Sequence, residues 1–162
     1  MIRHERLGDE AAIADLIGKG FASAEHSDGS EAAIVARLRI AQALTLSLVF
    51  ADDDQIVGHV AFSPVTISNE VSGWFGLGPV AVDLAWRRKG IGAALIGAGL
   101  AELRLSGATG CVVLGDPGYY ARFEFRPVPQ LRYPHAPTQY FQALAWIGEI
   151  PAGEVSYDLA FG

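Results

Sequence analysis

Apolar residues fall at helical spacing in some stretches of this chain and gather in short runs in others. Ile13, Leu16, Ile17, Gly20 and Phe21 recur three and four positions apart behind a possible N-cap, Asp9, so residues 10–21 are predicted to form an amphipathic helix. After the polar loop 25–30, the stripe Ile34, Leu38 and Ala41 predicts a second helix. Residues 44–50 then read as a strand, Asp52-Asp53-Asp54 as a hairpin turn, and 55–67 as the returning strand, with Gly58 and Pro64 as irregularities. Residues 68–73 are polar and loop-like. The strand 74–82 follows, and Pro79 predicts a bulge or interruption in it because proline cannot donate to a ladder. Residues 90–106 form a helix that ends near Gly107, and 111–114 a short buried strand. Asp116-Pro117-Gly118 opens a short helix through Phe123, and the proline-rich tail holds two strand-like runs, 140–146 and 154–160. The order helix, helix, three strands, helix, strand, helix, strand predicts an α/β fold with a mixed sheet. Neither a repeat nor a linker divides the chain, so residues 1–162 are expected to form one domain.

The junction at 80–95 carries the most chemistry. The apolar run Val80-Ala81-Val82 passes through the basic segment Arg87-Arg88-Lys89 into Gly90-Ile91-Gly92-Ala93 at the start of a helix. Free N–H groups at a helix N-terminus, together with the helix dipole, favour an anion there. Gly90 and Gly92 allow close approach, and the three cations add charge. Two other nucleotide loops are excluded. There is no Gly-Lys-Ser/Thr as in a P-loop, and Leu95 stands where a dinucleotide fingerprint needs its third glycine.

Composition narrows the partner. Apolar residues make up 51% of the 162, enough to fill one core, yet no run approaches a membrane span. The formal net charge of −6 argues against a nucleic-acid binder. An acidic chain with one basic loop suits a small anionic cofactor. The single cysteine, Cys111, and an N-terminus without an apolar signal core predict a cytoplasmic protein. The four histidines are scattered, so no metal site is expected.

Arg87-x-x-Gly90-x-Gly92 resembles the pyrophosphate loop, Gln/Arg-x-x-Gly-x-Gly/Ala, of the GCN5-related N-acetyltransferases (GNAT). Tyr120-Ala121-Arg122-Phe123-Glu124-Phe125 resembles that family's later Tyr-x-x-x-Gly-Phe signature. The runs 58–64, 77–82, 114–120 and 140–144 are similar to a bacterial subgroup of the family, and the likeness spans nearly the whole chain. It implies a strongly twisted mixed sheet flanked by helices, with a V-shaped cleft between the family's fourth and fifth strands. It also implies acetyl-CoA as co-substrate and a primary amine as acceptor, with the chain a monomer or homodimer.

On this resemblance the backbone of Val80 and Val82 pairs with the pantetheine arm. An N–H near Val80 faces the thioester oxygen, and the segment from Arg87 to Ala93 holds the diphosphate. Tyr120 is the general acid, protonating the thiolate that leaves. Tyr119, about 100° round the helix, is expected to pack among aromatics. Two departures stand out: Glu124 replaces the usual glycine, which puts the tight turn there in doubt, and Asp116-Pro117 occupies the place where many relatives have asparagine. Glu25, His26, His59, Glu70, Asp83 and Asp116 could each serve as a base, and no spacing singles one out. Cys111, in an apolar strand, is expected to be an inert buried thiol rather than a nucleophile, and His135 a loop residue. A non-catalytic acyl-CoA sensor is the alternative, and a phosphate or nucleotide binder unrelated to CoA a third reading.

Overall fold

The structure, a computed structural model, describes residues 1–22 and 29–162. Helices α1 (Glu10–Phe21) and α2 (Glu31–Ile40) follow a short strand β1 (Ile2–His4). The hairpin β2 (Leu46–Asp52) and β3 (Gln55–Ile67) leads to β4 (Val71–Val82), α3 (Ile91–Leu105) and β5 (Gly110–Leu114). The one-turn α4 (Pro117–Tyr120), β6 (Arg126–Pro127), β7 (Leu131–Arg132), β8 (Phe141–Ala145) and β9 (Gly153–Tyr157) complete the chain. The main sheet runs β1-β2-β3-β4-β5-β8-β6, with β9 laid antiparallel along the far end of β3 and β7 beside β9. Within the main path only β4 and β5 run parallel, as the mixed-sheet expectation requires.

Both faces of the central strands are covered. Val60 and Phe62 of β3 pack under α3 with Leu95, Ile96 and Leu100, whereas Ala61 between them packs with Ile13, Ile17 and Val35 of α1 and α2. Burial on both sides explains why residues 46–49 of β2 are all buried, the polar Ser47 included. A Cβ on Gly99 would collide with the Phe62 ring, so glycine there sets how closely α3 lies on the sheet.

Strand β4 carries the feature that matters most for function. Val80 opposes Val60 and Leu77 opposes Phe62, so β4 has one residue more than β3 between them, at Gly78-Pro79. Gly78 has φ +137, which a side chain rarely tolerates. This bulge is the interruption that Pro79 predicted. β4 pairs with β5 only from Trp74 to Leu77, and past the bulge the two strands part. A V-shaped opening between β4 and β5 results.

The structure departs from the sequence reading at element ends. β4 begins at Val71 rather than at position 74, because Gly73, at φ +85 within a second register shift, lets the chain join the ladder early. The last strand stops at Tyr157, where Asp158 caps a single 3-10 turn over Leu159–Phe161. β1, β6 and β7 have two or three residues each, too few for a period to show. Ala41 caps α2 and is exposed, and Val35 takes its place in the buried stripe. Asp9 sits at the start of α1, but its carboxylate turns back to Arg3 (2.8 Å) and the Arg6 N–H (2.7 Å) instead of capping the helix.

Candidate functional site

Past the bulge, the edge of β4 that faces β5 has no strand beside it. The Asp83 N–H donates to the Val57 carbonyl (2.8 Å), so it faces β3. Strand alternation then turns the main-chain groups of Val82 and Val80 the other way, into the opening. The Val82 carbonyl is indeed met by a side chain, the Arg87 guanidinium (3.2 Å). A cleft of about 540 Å³ lies along this edge, walled by Val80, Val82, Gly90, Gly92, Ala93 and Tyr119. Arg88 and Arg122 stand on its rim.

The N-terminus of α3 opens into this cleft. Its first intrahelical bond from a described N–H runs from Ala94 to the Gly90 carbonyl (3.0 Å), so the N–H groups of Ile91, Gly92 and Ala93 have no helical acceptor. Gly90 has φ +79 and Arg88 φ +64, and this winding brings the basic segment round the helix end. A Cβ at Gly92 would meet Val82 at 3.6 Å and the Tyr119 hydroxyl at 3.7 Å, narrowing the cradle. Donors, dipole and Arg88 together suit a diphosphate.

The three cations do different things. The Arg87 guanidinium also bonds to the Gly20 carbonyl (3.2 Å), so this side chain ties the end of α1 to the end of β4. It shapes the cleft rather than presenting a free charge. The Lys89 ammonium lies 5.0 Å from the centre of the Trp86 ring. Arg122 was not foreseen. It stacks on Tyr119 at 4.2 Å and donates to the Tyr119 carbonyl (3.0 Å), which holds a cation at the cleft wall. Its spacing of three from Tyr119 on a helix was the available signal.

Tyr119 and Tyr120 face different spaces. Tyr119, expected to be packing, walls the 540 Å³ cleft. Tyr120 walls a second cavity of about 420 Å³ on the other side of the bulge, and Val80 belongs to both. The Tyr120 ring covers Gly115, where a Cβ would lie 2.5 Å from it, and meets Phe125 edge-on at 5.9 Å. Burial first, then Tyr119 and Cys111, push its phenol up to about 12, so it keeps its proton at neutral pH. Glu124 adopts φ +73 after the 3-10 turn Ala121–Phe123, so the tight turn that glycine usually makes is present here with a glutamate in it.

The second cavity brings together Glu31, Leu77, Pro79, Tyr133, Tyr157 and Phe161, none of which the sequence marked as a site residue. The candidate bases lie elsewhere. Asp83 and Asp116 cap turns by accepting from Ala85 N–H (2.9 Å) and Gly118 N–H (3.0 Å). Glu70 is exposed on the β3–β4 turn. His59 is buried beneath α1 and α2 in a chain from Ser47 (2.8 Å) to Glu5 and on to Arg39. Burial lowers its pKa to about 4, so it is neutral. Glu25 and His26 lie outside the described residues. Cys111 is fully buried, and burial pushes its thiol well up, away from a nucleophilic thiolate. His135 lies exposed in a loop. Among the described residues no cluster of three or more potential metal ligands is present, and no helix is long and apolar enough to cross a membrane.

Comparison with known proteins agrees with this geometry. The acetyltransferase (GNAT) domain profile matches residues 44–127. The uncharacterized N-acetyltransferase YhbS of Escherichia coli (strain K12) is 40% identical over 126 residues, covering 77% of this chain and 72% of that protein. A GNAT family acetyltransferase from Brucella melitensis, crystallised in complex with acetyl-CoA, superposes with a TM-score of 0.90 at 48% identity, over 100% of this chain and 97% of that one. The crystal structure of E. coli YhbS in complex with CoA gives a TM-score of 0.91 at 35% identity, over 99% of this chain and 91% of that one.

Proposed function

The chain belongs to the GNAT family of N-acetyltransferases, and from that premise we propose that it moves the acetyl group of acetyl-CoA to a primary amine by direct attack. The observation that carries this reading is the cleft where the open α3 N-terminus stands beside the unpaired edge of β4. A long molecule with a diphosphate at one end and an amide-bearing arm at the other matches both parts. The relatives crystallised with acetyl-CoA and CoA support it.

In this reading the N–H groups of Ile91, Gly92 and Ala93 hold the diphosphate, with Arg88 and Arg122 beside it and Lys89 more remote. Arg87 fixes the loop. The β4 edge at Val82 and Val80 binds the pantetheine amides as an added strand would, and the Val80 N–H polarises the thioester carbonyl. Tyr120 donates its phenol proton to the sulfur. The amine nitrogen forms the new C–N bond as the C–S bond breaks, and the proton it sheds restores Tyr120. The departing thiolate, the conjugate base of a thiol near pKa ~8.5, takes this proton as the amine's own proton passes to Tyr120, so no free phenolate builds up. The acidic chain and the basic cleft fit a soluble cytoplasmic enzyme acting on a small acceptor.

Calorimetric titration with acetyl-CoA, on wild type and Gly90→Asp, tests the reading. Micromolar binding by wild type and a loss of at least about a hundredfold in the variant, about 2.7 kcal/mol, is the expected result. A folded wild type that does not bind acetyl-CoA would contradict it.

A further inference from the structure

The second cavity has a chemical character of its own, and that character selects an acceptor. Resting on the acetyltransferase reading above, we propose that the acceptor is a primary amine on a compact aromatic or branched apolar body. Its ammonium group is met by Glu31, and its body lies against Tyr133, Tyr157 and Phe161.

Three features of the cavity support this. First, its wall is a continuous aromatic surface. Tyr133 and Tyr157 pack with ring centres 5.3 Å apart, and Tyr157 and Phe161 at 5.1 Å. Leu77 and Pro79 add aliphatic surface from the bulge. The Tyr157 ring lies so close over β4 that a Cβ on Gly76 would be 2.6 Å from it, so the glycine makes room for this wall. Apolar pockets of a few hundred Å³ suit ligands of this size, and aromatic faces attract an ammonium.

Second, charge separates the two arms of the cleft. Arg88 and Arg122 line the first, whereas the second is lined by Glu31 and by no lysine or arginine among the described residues. An amine that also bears a carboxylate, such as an amino acid, would bring its acid towards the like charge of Glu31. A polyamine would bring several charges to one carboxylate and strand the rest against rings, and burying an unpaired charge is costly.

Third, the hydroxyls of Tyr120, Tyr133 and Tyr157 make no hydrogen bond to the described residues. Burial raises all three pKa values, so these groups are neutral donors beside the ligand. The apolar wall disfavours a bound ammonium by desolvation and Glu31 favours it by charge, so the two oppose each other in setting its pKa. Proton balance is then complete. The ammonium sheds two protons on becoming an amide; one replaces the phenol proton that Tyr120 gives to sulfur, and one leaves to solvent.

The test begins with calorimetric titration of acetyl-CoA and then follows thiol release with phenethylamine, ethanolamine, glycine and spermidine. Binding of phenethylamine to the CoA-loaded protein is measured directly. The expected result is a kcat/KM for phenethylamine at least tenfold above each of the others. Glu31→Gln should raise its KM about tenfold, and Tyr133→Leu by a similar factor, with acetyl-CoA affinity unchanged in both. If acetyl-CoA binds but another amine is preferred, or phenethylamine neither binds nor reacts, the acceptor class is wrong and the acetyltransferase reading stands. If acetyl-CoA itself does not bind, that reading fails and this proposal with it.

Discussion

The two arms of the cleft meet at Val80 and are built on opposite principles. The arm at the N-terminus of α3 is mostly main chain. Its donors are N–H groups, its fit depends on two glycines, and its side chains supply diffuse positive charge. The arm beyond the bulge is mostly side chain, lined by rings from the β7–β8 segment, β9 and the C-terminal turn and by Glu31 of α2. A main-chain cradle recognises a diphosphate whatever residues surround it. A side-chain wall recognises one shape and one charge. On the proposed function, the first arm holds the co-substrate and the second selects the acceptor.

Perturbations that touch one arm and spare the other break this comparison most sharply. The largest expected effect is at Tyr120, on the wall of the second arm. Tyr120→Phe should lower kcat about a thousandfold, with the KM for each substrate changed less than threefold, because on the proposed mechanism it removes a proton donor used only in the transition state. With the phenol near pKa 12, wild-type activity should show no alkaline loss traceable to Tyr120 up to about pH 11.

A second perturbation should weaken both arms together. His59 opposes Ala81 of β4 and lies beneath the shared floor. Its folded pKa, about 4, lies below the ordinary 6.5 because burial disfavours the charged form. The stability it contributes is therefore present above about pH 6.5 and is lost as pH falls towards 4. That loss is about 3 kcal/mol at 1.36 kcal/mol per pKa unit. Urea melts at pH 7 and 4.5 should show it, and His59→Gln should flatten that part of the acid slope.

Gly76→Ala should act on the side-chain arm alone. The added methyl meets the Tyr157 ring, so we expect a stability loss of about 2 kcal/mol and weaker amine binding, with acetyl-CoA affinity kept. The smallest effect is expected at Glu124. Its φ of +73 costs a side chain what glycine avoids, so Glu124→Gly should raise stability by about 1 kcal/mol and leave kinetics unchanged. A thermal melt beside an activity assay checks both.

The same contrast explains what could be read from the amino-acid order. α1, at residues 10–21, and β3, at 55–67, were legible to the residue, and α3 to within one, because the period of apolar residues and the glycines and turns that bound it are local signals. That residues from Val80 to Ala93 would wall a common cleft was legible for the same reason, since they form one continuous segment. Arg87 shows the limit: its identity announced a cation, but its bonds to Val82 and Gly20 depend on where α1 ends. The aromatic arm was not legible. Glu31, Leu77, Tyr133, Tyr157 and Phe161 come from separate segments, and only the sheet order brings them together. Glu124 carried the opposite lesson, for the turn survives although its usual residue is absent.

Amide hydrogen exchange, followed by NMR with and without acetyl-CoA, tests the main-chain cradle most directly. Exchange slows where an N–H gains an acceptor. The account predicts new protection at Ile91, Gly92, Ala93 and Val80, with the amides around Tyr133 and Tyr157 unchanged. Protection confined to another surface, such as the groove between Glu124 and Ile150, or binding without protection at α3, would contradict it.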